Sequence, residues 1–159
     1  MQHENSSGMT PLMYCAEQEM LDSLKTLSLC GANIDHQSSK GYTALLVAAA
    51  YNRVASVETL LDMGATIDLQ NVSGKTALMM AARFNCIDVL KALVARGADI
   101  NISVPKQLGG KDAFIEAAEG NAVDVILYLL NEGIDPNKED AEVMNCARPN
   151  MISWINFVS

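Results

Sequence analysis

Glycine recurs in this chain at a fixed interval. Gly8, Gly41 and Gly74 stand 33 residues apart, and so do Gly31, Gly64 and Gly97. Few folds accept that constraint: a stack of like helical units requires one residue at one phase again and again, and a single irregular core does not. With the glycines in register, GMTPLMYCAEQ, GYTALLVAAAY and GKTALMMAARF align, and so do SLKTLSLCGANID, SVETLLDMGATID and DVLKALVARGADIN. A fourth copy, GKDAFIEAAEG to DVILYLLNEGIDPN, follows 36 residues after the third, its three extra residues falling inside SVPKQLGG.

Local chemistry predicts the same two helices in each copy. Thr10, Thr43, Thr76 and Asp112 are placed to cap the free N–H groups of a short helix of about ten residues. Pairs of small residues, such as Ala48-Ala49 and Ala81-Ala82, let neighbouring helices approach closely. A second helix carries an apolar stripe at Val54, Val57, Leu60 and Leu61, repeated at Ile87, Leu90, Leu93 and Val94 and again at Val123, Ile126, Leu129 and Leu130. Gly31, Gly64, Gly97 and Gly133 stop it, because glycine takes positive φ. One helix pair cannot bury such a stripe, but stacked neighbours can.

The units resemble ankyrin repeats over residues 5–138, carried by Gly-x-Thr-Pro/Ala-Leu at 8–12, 41–45 and 74–78, the small pairs, and the closing glycine with Asp or Asn four residues on. The resemblance implies an all-α solenoid of four stacked helix pairs with short hairpin fingers. Its units span about 5–37, 38–70, 71–103 and 104–138, and an irregular cap at 139–159 carries Trp154, Ile155, Phe157 and Val158 against the fourth unit. The histidine that usually follows Thr-Pro-Leu is Met13, Leu46, Met79 or Ile115 here, and the fourth unit has Asp112 for threonine.

Composition and motifs exclude several functions. Nineteen acidic against eleven basic residues give a net charge of −8, adverse to nucleic-acid binding. Gly74-Lys75-Thr76 is half of a phosphate-binding loop, but Leu69 stands where the early glycine is required. His3 and His36 have no partners at metal-ligand spacing, and no G-x-S-x-G elbow occurs. Asp35, Asp68, Asp99 and Asp135 recur once per unit, as turn residues that bond their own backbone do. No enzyme activity, cofactor or metal is expected. Cys15, Cys30, Cys86 and Cys146 form no C-x-x-C pair, and Cys15 replaces an alanine of a small pair as a buried thiol. The sequons at Asn5, Asn71 and Asn101 read as turn residues. A reduced, cytoplasmic or nuclear setting is expected, as are no membrane insertion and a monomeric chain.

The resemblance implies that a partner lies on the concave face, formed by the hairpin tips and the outward side of the first helices. The residues there include Lys40 and Tyr42, Tyr51, Lys75, Arg83 and Phe84, Lys111 and Glu119. Four of the eleven basic residues and three aromatics thus meet on one face, in a chain only 5% aromatic. Arginine and aromatic residues are the types that anchor interfaces. The expected function is a protein-protein interaction module accepting a segment with acidic and apolar residues; the alternative is a substrate-recruiting array of a larger enzyme or bacterial effector. Charge reversal at Lys75 and Arg83 is expected to weaken binding and leave unfolding nearly unchanged.

Overall fold

Thr10, Thr43 and Thr76 have extended backbones, and each hydroxyl accepts the N–H three residues on, from Met13, Leu46 and Met79 at 3.2, 3.2 and 3.3 Å. Asp112 does the same for Ile115 at 2.9 Å. The computed structural model describes Asn5 and residues 8–132. From these caps run the first helices, α1 (Pro11–Glu17), α3 (Ala44–Ala50), α5 (Ala77–Arg83) and α7 (Ala113–Glu119). Each pairs with a second helix, α2 (Leu21–Leu29), α4 (Val54–Asp62), α6 (Ile87–Ala95) or α8 (Val123–Asn131). The pairs stack in order, first helix on first and second on second, as expected, with no strand among the described residues. The 139–159 cap, Gly133 and Asp135 lie outside the described residues.

Both helices of a unit end in the same way. At the second helix the N–H of Gly31, Gly64 or Gly97, with φ between +84° and +89°, bonds back three residues, and the next N–H bonds back five. The first helix repeats this at Glu19, Asn52, Asn85 and Asn121, all with φ between +56° and +58°. Asparagine tolerates that conformation better than most side chains. Glu19 has a further role: its Oε1 accepts the N–H of Ala55 at 3.0 Å, in the first turn of α4, which has no side-chain cap of its own.

The small pairs form the centre of the stack, where Ala16, Ala48, Ala49, Ala81, Ala82 and Ala117 are fully buried. Around them Val57, Leu60, Leu90, Leu93 and Leu129 are fully buried too, each contributing about 1.5–3 kcal/mol. The second-helix stripe departs from expectation at one end. Val123 is exposed, and Val125 takes the core place; Val89 is its fully buried counterpart in α6. The buried face therefore includes the third residue of α4, α6 and α8, which in α4 is Ser56.

Turns stack on turns. Asn71 accepts the N–H groups of Ser73 and Lys75 on its Oδ1 at 2.9 and 3.0 Å, so this buried sequon is consumed by its own turn. Gly41 has φ +75°, and a Cβ there would lie 2.5 Å from the Val72 nitrogen, so conformation and close approach both require glycine. The turn aspartates differ from the sequence expectation. Asp99 does bond its own turn, accepting the Asn101 N–H at 2.9 Å, but Asp35 and Asp68 reach the next unit. Asp35 accepts the N–H of Thr66 at 2.9 Å and also its hydroxyl, and Asp68 accepts the N–H of Asp99 at 3.2 Å. The inserted residues form a 3-10 turn at Lys106–Leu108, and Val104 beside it is buried against Gly74.

Candidate functional site

Four of the expected contact residues join in one ionic chain, with a fifth residue that the sequence reading passed over. Lys75, from the turn before α5, donates to Glu116 Oε2 at 2.8 Å, and Arg83, the last residue of α5, donates to the same oxygen at 3.1 Å. Arg83 also donates to Glu119 Oε2 at 2.9 Å, and Lys111 donates to Glu119 Oε1 at 2.6 Å. An ionic chain thus runs across the seam between the third and fourth units. Of its two carboxylates, Glu116 has 0% side-chain exposure, against 21% for Lys75 and 38% for Arg83. Glu116 Oε1 is buried and accepts no hydrogen bond.

The charges perturb one another in the expected directions. Lys111 first, and Arg83 with it, hold the Glu119 carboxyl below its ordinary value. The hydrogen bonds to Glu119 and then to Glu116 push the Arg83 guanidinium upward. Lys75 and Arg83 are therefore engaged within the fold, and this geometry argues against the expectation that reversing them leaves unfolding nearly unchanged. A glutamate facing buried Glu116 replaces attraction by repulsion in a low-dielectric seam.

Glu116 was detectable in the sequence as an anomaly of register. It aligns with Tyr14, Val47 and Met80, and the last two are buried core residues. A carboxylate in an apolar column requires partners, and the basic residues of the preceding unit supply them. Gly120 is a second such anomaly, aligned with Gln18, Tyr51 and Phe84. A Cβ on Gly120 would lie 1.9 Å from the Arg83 carbonyl oxygen, so α7 meets α5 backbone to backbone there.

The remaining expected residues stand apart from the ionic chain. Tyr51 and Phe84, equivalent C-caps of α3 and α5, are 54% and 53% exposed, so they do not close the core. Tyr42 is half-buried against the core, and Lys40 is exposed and forms no ion pair among the described residues. Among the described residues no His, Cys, Asp and Glu group has the arrangement of a metal site, and no helix is long and apolar enough to cross a membrane. Cys15 and Cys86 are buried free thiols, and burial pushes both upward, away from the reactive thiolate; Cys30 is free and exposed.

Among known protein families, the description "Ankyrin repeats (3 copies)" matches residues 12–104, more than half of the chain. The chain belongs to the ankyrin repeat family. A second description, "Ankyrin repeats (many copies)", matches residues 79–130 and so carries the assignment into the fourth helix pair. No curated protein matches the chain. Ankyrin repeats are generally protein-protein interaction modules and typically non-catalytic. Of the expected contact residues, Lys40, Tyr51 and Phe84 are exposed and make no side-chain ion pair among the described residues, while Lys75 and Arg83 of the third unit pair with Glu116 and Glu119 of the fourth, and Lys111 pairs with Glu119 inside its own unit.

Proposed function

We propose that this chain is a non-enzymatic, intracellular protein-binding module whose concave face accepts a partner segment through an aromatic ledge formed by Tyr51 and Phe84. The observation that carries the reading is their exposure: both are more than half exposed, in register, in adjacent units. Large aromatic side chains so placed add apolar surface to water without serving the core, and such residues dominate interface energetics. Lys40, exposed and outside the ion pairs formed among the described residues, supplies a charge for an acidic group on the segment. The segment in this reading is apolar at its centre with an acidic flank, and its acidic contact moves from Lys75 and Arg83 to Lys40.

Quantitative capture from cell lysate tests the proposal, comparing wild type with Tyr51→Ala/Phe84→Ala and with Glu58→Ala on exposed α4 as a control. The double variant is expected to lose specific proteins that the control retains. Because neither side chain is buried, its unfolding free energy should change by only about 0.5 kcal/mol. An identical set of captured proteins from all three would refute the ledge.

A further inference from the structure

We propose that the outer face of the first unit is an interface on which a second copy of this chain docks face to face, in place of the monomer expected from the sequence. The columns of the repeat identify the face. Leucine stands at the same place in all four second helices, and Leu60, Leu93 and Leu129 are fully buried while Leu27 keeps part of its surface in water. Tyr14 is 51% exposed, yet its equivalents Val47, Met80 and Glu116 are buried. Pro11 is exposed against buried Ala44, Ala77 and Ala113, and Met20, 45% exposed, against buried Cys86 and Ala122. Ser23 is half-buried where Ser56, Val89 and Val125 are wholly so. These columns are closed where another helix pair comes before them, and open in α1 and α2, which have none before them among the described residues. What closes such a face elsewhere in the array is therefore a like helical surface.

The make-up of the face selects its occupant. Pro11, Tyr14, Met20, Ser23 and Leu27 carry no charge, in a chain of net charge −8. The charged residues of the same two helices lie off it. Asp22 and Lys25 share columns with Asp88, Asp124, Glu58 and Lys91, all exposed although their units are covered, and Glu17 shares one with Arg83 and Glu119 of the ionic chain. The free end of a helical array ordinarily carries a polar outer face. A foreign partner of opposite charge finds nothing here to pair with. A second copy fits, because a two-fold contact sets one patch against itself, where a charge of one sign would face its like. Homodimer contacts are also more apolar than ordinary surface, and tyrosine brings to them an apolar ring with a hydroxyl for the wet rim. One helix-pair face lies at the small end of stable interfaces, so half-dissociation at about 100 µM is expected.

Sedimentation velocity on the full chain, from about 5 µM to about 500 µM, tests the pairing. Tyr14→Lys and Tyr14→Glu should each raise the dissociation constant by about tenfold or more, by placing like charges on both sides of the contact. An equimolar mixture of the two variants should return to within about threefold of wild type at low salt, since opposite charges then meet within about 10 Å. Tyr51→Ala/Phe84→Ala is the control: copies joined through the aromatic ledge would separate in that variant and not in those at position 14. A wild-type chain that stays monomeric throughout would overturn the proposal. So would an association that the two single variants leave unchanged, or that their mixture does not restore. Should a variant not fold, hydrogen exchange of wild type decides alone, because rising concentration should slow exchange in α1 and α2 before any other helix. Slowing that begins elsewhere, or none, would refute the face-to-face contact.

Discussion

Replacing Gly120 by alanine should destabilise the array, although the backbone there would ordinarily welcome alanine. Gly120 has φ −74° and ψ −8°, a right-handed conformation open to any residue. Substituting alanine for glycine at such a site commonly stabilises by about 0.4–1 kcal/mol through the unfolded state. Here the added carbon would meet the Arg83 carbonyl oxygen at 1.9 Å, the carbonyl carbon at 2.7 Å and Cα at 3.1 Å. A carbon-oxygen contact settles near about 3.3 Å, so α7 must retreat from α5 by roughly 1 Å or more. Both obstacles are backbone, so no rotamer change relieves them. The retreat opens the contacts of Ala81, Ala82 and Ala117, all fully buried, and a gap of that size forfeits about a quarter to a half of each dispersion contact. It also lengthens the bonds from Arg83 to Glu116 and Glu119. Overpacking costs about 1–3 kcal/mol, and this case belongs at the upper end, equivalent to a fall in Tm of roughly 6–12 °C for a chain of this size. Urea unfolding monitored by circular dichroism gives the value, with Gly31→Ala as reference. Gly31 has φ +84° and nothing within 4 Å of a Cβ, so it isolates left-handed strain of about 1 kcal/mol. A Gly120→Ala protein as stable as wild type, or no less stable than Gly31→Ala, would refute close approach as the reason for this glycine.

Two further substitutions probe the seams and caps. Lys75→Glu with Arg83→Glu should lower the unfolding free energy by about 2–3 kcal/mol in urea titration, less than for a wholly buried pair because both cations retain some contact with water; an unchanged midpoint would remove the ionic chain from the account of stability. Thr76→Ala should cost about 1 kcal/mol by the same assay, and Thr43→Ala should match it, since both hydroxyls accept the equivalent N–H in the same geometry. Unequal losses would show that the caps depend on their unit and not on the repeated turn.

What was legible in the sequence is what each unit does for itself. Helix starts at Thr43 and Thr76, and stops at Gly64 and Gly97, depend on neighbours within a few residues, so a repeated spelling reveals them. The left-handed ends of the first helices were less visible, because Glu19, Asn52, Asn85 and Asn121 spell one conformation in two ways. Contacts between units were misread for a physical reason. Asp35 looks like a residue serving its own turn until stacking brings Thr66 within reach, 31 residues away. Lys75 likewise looks like a free surface cation, because its partner Glu116 is 41 residues on.

Such pairings still leave a trace in the alignment of units. In an array whose units stack by a constant offset, a residue that breaks its column cannot be compensated within its own unit, where every other position is already occupied. Compensation must come from the unit before or after. Glu116 breaks a column that is apolar in the two preceding units, and the cations answering it are Lys75 and Arg83 of the preceding unit. Gly120 breaks a column of larger residues, and what fills its space is the Arg83 backbone. Both irregularities fall at one seam and point to one neighbour. The tempting half-motif Gly74-Lys75-Thr76 therefore resolves into three separate roles: Gly74 makes room for Pro105, Thr76 caps α5, and Lys75 neutralises a carboxylate that the fourth unit has buried.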